Sequence, residues 1–316
     1  MAGSILLLAY QRPDVLKQSI ASLKNARLTR ISNLIVVFQE GDQVVDSHLN
    51  DIDWIPKRIL RTSYKNITSP AAAINSNIHL GISEAFKNQD CEYVAVIEDD
   101  ICVSVDFFDF ISSVYDQNTS DKNFRGINGF SGIPRGMTSF EDYGRYRYGV
   151  GWGWVLTRKS WDDLRKFWTG TEDVHWDGLV EVYFRSGYVV APGMSRIRNI
   201  GFGSSATHTR AAYDTEVAKV EQKLNDSFIC EEDTESKIKY RFSQQDLNWR
   251  SDCISFTSTR GFIGKLIHLL FLLNFFLELR LLRYLPSAKL VPIFRALTIR
   301  LGRRLALMTK KESNSP

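Results

Sequence analysis

The stretch Tyr93–Phe108 (YVAVIEDDICVSVDFF) places three consecutive acids directly after an apolar run. Val94–Ile97 lead into Glu98, Asp99 and Asp100, and the chain then turns apolar again. Adjacent carboxylates repel each other, and at the rim of a hydrophobic core they are also partly desolvated. A bound Mg²⁺ or Mn²⁺ would relieve this repulsion, because these cations prefer carboxylate oxygens. A solvated turn is the alternative, but the apolar segments on both sides favour a position inside the fold.

The first hundred residues alternate between strands and helices. The sequence predicts strands at Ile5–Ala9, Leu34–Phe38, Ile59–Leu60 and Tyr93–Ile97. Helices are predicted from Pro13 and over residues 71–86, between pairs of these strands. The alternation predicts an α/β fold, with a mostly parallel sheet and helices on both faces. Open sheets of this kind bind ligands at the carboxyl ends of their strands, where the three acids lie.

The rest of the chain is less regular. The sequence predicts a helix over 106–114, a Gly/Trp-rich strand at Gly151–Trp154, a helix opening at His175, a strand at Tyr188–Ala191 and a Gly/Ser-rich loop at Gly201–Thr209. There is neither a GxGxxG nor a GxxxxGK[ST] motif, which removes support for a dinucleotide fingerprint or a P-loop.

The composition is that of an ordinary soluble globular protein. The chain has 316 residues, 44% hydrophobic and 24% charged, enough for one large domain or two smaller ones. Its four cysteines form no CxxC pair, so a reducing compartment is the simpler interpretation. The apolar run Ile5–Ala9 is too short for a signal peptide or a membrane span, and we expect a cytoplasmic protein.

Residues 261–316 differ from the rest of the sequence. They contain ten Lys or Arg and two Glu, a net charge of +8, whereas the whole chain carries +4. The apolar run over 266–277 is shorter than the roughly 20 residues that span a bilayer. Basic residues interleaved with Leu, Phe and Ile favour a C-terminal helical tail lying peripherally on the inner face of the cell membrane. Packing on the protein or on a second subunit is the alternative, and no motif supports nucleic acid as a partner.

Six pieces of sequence occur in a fixed order. They are Ala9-Tyr10-Gln11-Arg12-Pro13, Gln39-Glu40-Gly41, a helix holding Asn77, Glu98-Asp99-Asp100, Gly151-Trp152-Gly153-Trp154, and His175-Trp176-Asp177. With this order and spacing, the chain resembles the GT-A glycosyltransferases, which are nucleotide-diphospho-sugar transferases with a Rossmann-like fold. Within them it resembles the N-acetylglucosaminyltransferase I (β-1,2-GlcNAc transferase) family over residues 3–210. Two further pieces, Asp106-Phe107-Phe108 and Ser195-Arg196, add to the match.

The resemblance implies roles for the acidic cluster. Glu98-Asp99-Asp100 matches the family's version of the DxD motif. Asp100 would ligate Mn²⁺ or Mg²⁺ directly, while Glu98 and Asp99 would contact the uridine and sugar side of the donor.

The resemblance also implies nucleotide contacts after the first two strands. Ala9, Tyr10 and Arg12 fall in the nucleotide-binding segment, with Arg12 matching a basic residue near the nucleotide. Glu40 matches an acid that reads the uracil edge, where the family has Asp. Asn77 falls near a family His that contacts the nucleotide, and His79 lies two residues on.

Trp176-Asp177 matches a Trp-Asp pair whose Asp is the family's candidate catalytic base. Attack by an acceptor hydroxyl requires one general base, and a single in-line displacement inverts the anomeric centre. Trp152, Trp154 and Trp176 offer flat faces for a sugar ring. Trp152 and Trp154 share one face of the predicted strand. The alternatives are that Asp177 is a helix cap and that both tryptophans belong to the core.

Arg12 and Glu40 also have simpler interpretations. Arg12 could cap the helix or pair with Asp14, and Glu40 could be a turn acid. The loop Gly201–Thr209 has the composition of a mobile lid. His208 within it is a candidate metal ligand, with an ordinary surface His as the alternative.

We therefore expect an inverting, metal-dependent glycosyltransferase of the GT-A fold. It would move a sugar, with GlcNAc first among the candidates, from a UDP-sugar donor to a glycan or lipid-linked glycan, as in surface-polysaccharide biosynthesis. Residues 1–100 would bind the nucleotide-sugar, 101–260 the acceptor, and 261–316 would form the basic tail. A sugar-nucleotidyltransferase and a non-catalytic glycan- or nucleotide-binding protein are the alternatives.

Overall fold

The structure, a computed structural model, describes residues 2–63, 69–131, 139, 141–146, 152–171, 176–201 and 241–242. The helices are α1 (Pro13–Asn25), α2 (Gln43–Asn50), α3 (Pro70–Ala85), α4 (Phe107–Asn118), α5 (Arg158–Leu164) and α6 (Trp176–Arg185). The strands are β1 (Ala2–Ala9), β2 (Ile31–Gln39), β3 (Lys57–Thr62), β4 (Cys91–Glu98), β5 (Ile101–Val103), β6 (Phe124–Asn128), β7 (Asp142–Tyr146), β8 (Trp154–Thr157), β9 (Tyr188–Pro192), β10 (Ile197–Asn199) and β11 (Arg241–Phe242).

One nine-stranded sheet has the order β11-β7-β9-β6-β8-β4-β1-β2-β3. The strands β4, β1, β2 and β3 are parallel neighbours, so their carboxyl ends meet at one edge. Beyond β4 the sheet is mixed, because β8 runs antiparallel to both β4 and β6. A separate antiparallel pair is formed by β5 and β10. The central position of β1 therefore places the segment after it beside the segments that follow β2 and β4.

Alternating side chains on the central strands separate two hydrophobic layers. On β1, Ile5 and Leu7 face the layer formed with α1, α2 and α4, whereas Leu6 faces the layer formed with α3, α5 and α6. All three side chains are fully buried, as expected for a strand covered by helices on both faces.

Local capping sets the start of two connecting helices. The Asp42 carboxylate accepts hydrogen bonds from the backbone N–H groups of Val44 and Val45 and so begins α2. The Ser69 hydroxyl accepts from Ala72 N at the start of α3, where Pro70 occupies the first turn.

The predicted α/β fold, with a mostly parallel sheet and helices on both faces, is confirmed. The four strands predicted in the first hundred residues are present, each longer than predicted. Helix α2, which follows β2, was not predicted from the sequence. The divisions predicted at residues 100 and 260 stay predictions.

The prediction of a strand over Gly151–Trp154 is wrong in its extent. The strand begins at Trp154, and Gly153 adopts φ +57°, a left-handed conformation that glycine tolerates. Trp152 and Trp154 consequently do not share one face of a strand. Trp152 packs on the α1/α2/α4 side, and Trp154 lies on the α3/α5/α6 side.

In the described residues no helix is long and apolar enough to cross a membrane. The predicted tail, 261–316, lies outside those residues, as does the predicted loop beyond Gly201.

Candidate active site

The carboxyl ends of β1, β2 and β4 bring together three segments that the sequence analysis singled out. Leu8 of β1 is in register with Glu98, the last residue of β4, and Ala9 is in register with Phe38 near the end of β2. The residues that follow these strands therefore lie along one edge of the sheet. This is the edge at which open α/β sheets bind their ligands.

Arg12 lies between Asp99 and Asp100 and pairs with both. Its Nε donates to Asp99 Oδ2 at 3.2 Å, its Nη2 donates to Asp99 Oδ1, and its Nη1 lies 3.0 Å from Asp100 Oδ2. The backbone N–H of Tyr10 also donates to Asp99 Oδ2, at 3.2 Å. All three charged side chains are largely buried. The segment after β1 thus supplies the charge that the acids after β4 require.

Burial and the net negative charge of the cluster shift the pKa values of Asp99 and Arg12. Burial raises the pKa of Asp99 to about 6; the Arg12 charge opposes this rise, and the neighbouring Asp100 carboxylate adds to it. Desolvation lowers the pKa of Arg12, but the two carboxylates outweigh it and hold the pKa above its ordinary value. One guanidinium therefore leaves the pair of acids incompletely neutralised.

One oxygen of this cluster fits a cation. Asp100 Oδ1 is buried and has no hydrogen-bond partner in the described part of the chain. Those same residues contain no group of three His, Cys, Asp or Glu side chains that could hold a metal ion. The donor set therefore suits a cation held by one or two carboxylates and completed by water and phosphate oxygens, the usual mode for Mg²⁺.

Gly201 packs directly against the Asp100 carboxylate. The backbone N–H of Ile200 donates to Asp100 O at 2.8 Å, and a Cβ on Gly201 would overlap the carboxylate of Asp100. Glycine is required here because the backbone approaches the acid so closely. The predicted loop Gly201–Thr209 therefore begins beside the acidic cluster, while the rest of it, including His208, lies outside the described residues.

A buried ion pair supports the segment that carries Gly201. Asp106 and Arg196 are both fully buried, with Arg196 Nε 3.1 Å from Asp106 Oδ2. Ser104 donates to Asp106 Oδ1 at 2.7 Å, and the Arg196 guanidinium also lies over the Phe110 ring. The pair joins the chain after β5 to the start of β10. The two sequence pieces Asp106-Phe107-Phe108 and Ser195-Arg196 meet here, a contact that the sequence analysis did not predict.

Trp154 and Trp176 form a stacked pair on the other face of the sheet. Their ring centroids lie 4.9 Å apart with an interplanar angle of 14°. Trp176 is the first residue of α6, so the stack fixes the position of this helix start against β8. Asp177 is the second residue of α6, and its side chain is not among the described atoms. Its role as the base stays a prediction.

Two buried donors next to this stack lack partners. Asn128, the last residue of β6, is in register with Trp154, so both side chains point to the same face of the sheet. Within the described residues, Asn128 Nδ2 and Trp154 Nε1 are buried without a hydrogen-bond acceptor. Phe130 N donates to Asn128 Oδ1 at 3.3 Å, which orients the amide so that its NH₂ group is the unpaired one. The sequence analysis did not single out Asn128, because a lone Asn at the end of a strand carries no motif.

The other predicted site residues lie in varied surroundings. Glu40 follows β2 and is exposed, and its backbone N–H donates to Thr62 O at 3.0 Å. Asn77 is half-buried on α3. His79 packs against Trp161 and Trp168, with ring centroids 5.2 and 5.6 Å away. The roles of these three residues stay predictions.

Trp152 lies against the ring of Phe130 in an edge-on contact, with centroids 5.2 Å apart. Ala9 is buried at the end of β1, and the Tyr10 side chain is exposed next to it. A ligand at this edge of the sheet could therefore reach Tyr10 without displacing core residues.

Replacing Asp106 by Asn should lower the free energy of unfolding by about 3–5 kcal/mol, because it leaves the buried Arg196 charge uncompensated. The double variant Asp106→Leu/Arg196→Met should recover most of this loss. Urea denaturation measures both. Asp116→Asn, which breaks an exposed ion pair with Arg30, is the matched control and should cost less than about 1 kcal/mol. Equal losses of unfolding free energy in Asp106→Asn and Asp116→Asn would show that the buried Asp106–Arg196 pair does not stabilise this segment.

Replacing Gly201 by Ala should destabilise the chain by about 1–3 kcal/mol, because the new Cβ overlaps the Asp100 side chain. Repeating the substitution in an Asp100→Gly background removes that overlap, and the cost should fall. A double-mutant cycle from chemical denaturation measures this coupling. Strict additivity would show that Gly201 and Asp100 are not in contact.

Comparisons with known proteins agree with the sequence resemblance. The model of the GNT-I family matches residues 2–245. A curated relative, the α-1,3-mannosyl-glycoprotein 2-β-N-acetylglucosaminyltransferase of Arabidopsis thaliana, is 23% identical over 217 residues, covering 64% of this chain. The match covers 48% of that relative, so the chain spans about half the length of the curated protein it matches.

Among solved structures, residues 1–349 of S. aureus TarS align with a TM-score of 0.46 and 14% identity, covering 72% of this chain and 70% of that one. A second S. aureus TarS structure aligns with a TM-score of 0.41 and 11% identity, covering 60% of this chain and 35% of that one.

Proposed function

The chain belongs to the GNT-I family, and from this membership and the geometry of the acidic cluster we propose that it is an inverting, metal-dependent glycosyltransferase. The donor is a UDP-sugar, with UDP-GlcNAc first among the candidates because the curated relative is named as an N-acetylglucosaminyltransferase. The acceptor is a hydroxyl of a glycan or of a lipid-linked glycan.

The observation that carries this proposal is the buried Asp99–Asp100 pair at the carboxyl end of β4. It lies beside the ends of β1 and β2, and one of its oxygens, Asp100 Oδ1, has no partner in the described part of the chain. An oxygen of this kind, next to a second buried acid at the edge where such sheets bind ligands, is what a site for a cation and a diphosphate requires. Replacing Asp100 therefore tests the proposal directly.

Asp100, with Asp99 next to it, would hold Mg²⁺ or Mn²⁺. When bound, the cation supplies positive charge that stabilises the diphosphate leaving group. The chain's own contribution at this point is a rigid carboxylate, fixed by the end of β4 and by the Ile200 N–H on the Asp100 carbonyl. A ligand held on such a rigid element is positioned before the reaction begins.

Arg12 and the turn residues around it would contact the nucleotide. The guanidinium already lies among the acids, and its planar set of N–H donors matches phosphate oxygens. Tyr10 offers an exposed ring beside the same edge, and Glu40, after β2, would read the uracil edge. Asn77 and His79 remain candidates for more distant nucleotide contacts.

Proton removal from the acceptor is assigned to Asp177. A single carboxylate is sufficient as a general base for an attacking hydroxyl and contributes roughly 10²–10⁴-fold in rate. Attack from the face opposite the leaving diphosphate inverts the anomeric centre. The Trp154–Trp176 stack would hold the start of α6, and with it Asp177, in a fixed position relative to the sheet.

Trp154 and Asn128 would donate hydrogen bonds to the transferred sugar. Each has a buried N–H donor without an acceptor in the described residues, and an unsatisfied buried donor costs about 1–3 kcal/mol. A sugar hydroxyl or an acetamido carbonyl supplies the missing acceptor. Trp152, on the opposite face, remains a candidate contact for the acceptor glycan. Residues 261–316 would bring the enzyme to a membrane surface that carries a lipid-linked acceptor.

Asp100→Asn should abolish metal-dependent binding of UDP-GlcNAc, because it removes the charged oxygen that the cation needs. Calorimetric titration with UDP-GlcNAc, first with Mn²⁺ and then with EDTA, measures this. The matched control is Asp116→Asn, an acid in an exposed ion pair, which should bind as the parent protein does.

Asp177→Asn should bind the donor normally but transfer sugar at least about 100-fold more slowly. Folded parent protein that binds no UDP-sugar under any condition would contradict the proposed function.

Trp154→Phe should raise the KM for the UDP-sugar, because it removes the unpaired Nε1 donor. It should also cost some stability, because the smaller ring leaves a cavity in the core. Asn128→Leu should also raise the KM, but it should cost about 1–3 kcal/mol of stability, because it removes the acceptor for Phe130 N. Trp168→Phe is the matched control: it removes the same ring volume, but Trp168 Nε1 donates to Asn75 Oδ1 at 2.8 Å, so this variant should lose about 1 kcal/mol more stability than Trp154→Phe. Its KM should not change. An unchanged KM in both Trp154→Phe and Asn128→Leu would contradict the assignment.

A further inference from the structure

Arg12 occupies the carboxylates that a divalent cation would use. Its guanidinium contacts both oxygens of Asp99 and lies 3.0 Å from Asp100 Oδ2. We infer that Arg12 is a displaceable counter-ion, which keeps free divalent cations from the Asp99–Asp100 pair until a nucleoside diphosphate binds. This inference rests on the proposed function for the identity of the diphosphate, but the competition between Arg12 and the cation does not depend on it.

Competition follows from charge and from distance. A cation on Asp100 Oδ1 would lie on the same carboxylate that Arg12 contacts through Oδ2, so two positive groups would share one acid. The site is largely buried, where water screens this repulsion less than at the surface. A cation can therefore bind strongly only when Arg12 moves away or when further negative charge arrives.

The two acids would respond differently to the departure of Arg12. Asp99 also accepts a hydrogen bond from the backbone N–H of Tyr10, at 3.2 Å, and keeps this donor when the guanidinium leaves. Asp100 loses the partner of its Oδ2, and its Oδ1 has none within the described residues. Asp100 is thus the acid released for the cation, while Asp99 stays anchored to the turn after β1.

A diphosphate offers Arg12 a replacement partner. Arginine pairs with phosphate oxygens through two parallel hydrogen bonds, as it does with carboxylates. Arg12 lies in the segment between β1 and α1, at the edge where the nucleotide would bind, and so needs only a side-chain movement to exchange partners. The diphosphate then supplies negative charge to both Arg12 and the cation, and each ligand increases the affinity for the other.

The decisive experiment is a titration of Mn²⁺ alone into the parent protein and into Arg12→Gln, without nucleotide. Arg12→Gln should bind Mn²⁺ about tenfold more tightly, because the competing charge is gone, and should bind UDP more weakly. A residue with only a structural role would lower both affinities. Unchanged or weaker Mn²⁺ binding by folded Arg12→Gln would overturn the inference.

Three controls make the result specific. Arg12→Lys keeps the charge and should stay close to the parent in Mn²⁺ affinity. Arg27→Gln removes an arginine that pairs with Asp109 away from the cluster and should change neither affinity. Adding Asp100→Asn to Arg12→Gln should remove the gain in Mn²⁺ binding, and a gain that persists would overturn the assignment to Asp100.

A second measurement covers the case in which Arg12→Gln folds poorly. In the parent protein, saturating UDP should tighten Mn²⁺ binding by about tenfold or more, and equal affinities with and without UDP would overturn the coupling. Failure of the proposed function gives a different result: no variant binds UDP, while Arg12→Gln still gains Mn²⁺ affinity. That outcome would support the counter-ion role and reject the nucleotide site.

Discussion

The arrangement of this site depends on the electrostatic repulsion between two adjacent buried carboxylates, those of Asp99 and Asp100. Asp99 and Asp100 follow a strand that is buried between two helical layers, so water cannot solvate them fully. Arg12, which the turn between β1 and α1 places beside them, neutralises part of their charge. The neutralisation is incomplete, since one guanidinium faces two acids and Asp100 Oδ1 has no partner in the described residues. A site that is incompletely neutralised in this way is prepared for an additional cation.

The second constraint is the close contact between Asp100 and the chain after β10. Gly201 can approach the carboxylate only because it has no side chain, and its position depends on β10, which pairs with β5 immediately after the acids. The buried Asp106–Arg196 pair holds the two ends of this unit together. Two sequence pieces 90 residues apart are thereby joined in space. The acidic cluster, the ion pair and the glycine form one continuous support for the end of β4.

Sequence reasoning was most successful where periodicity or motif order carried the information. The buried strands before Ala9 and Glu98, and the meeting of their carboxyl ends, follow from apolar runs alternating with helices. The α2 helix was missed because it is short and its signal, the Asp42 cap, resembles an ordinary turn. The separation of Trp152 from Trp154 was missed because it depends on the left-handed conformation of Gly153, which a Gly/Trp-rich stretch does not specify. The Asp106–Arg196 contact depends on tertiary pairing that no local pattern encodes.

Buried polar groups without partners do not by themselves identify a functional site. Among the described residues, Glu92 Oε2 is also buried and unpaired, yet it lies near the start of β4, far along the strand from the acids. Asp100, Trp154 and Asn128 differ from it because they lie at the ends of β4 and β6 and at the start of β8, along the edge formed by the carboxyl ends of the parallel strands. Trp168 shows that this fold can satisfy a buried tryptophan, since its N–H donates to Asn75. The unpaired donors of Trp154 and Asn128 therefore need an acceptor, and the proposed sugar donor would supply one at the same edge of the sheet as Asp99 and Asp100.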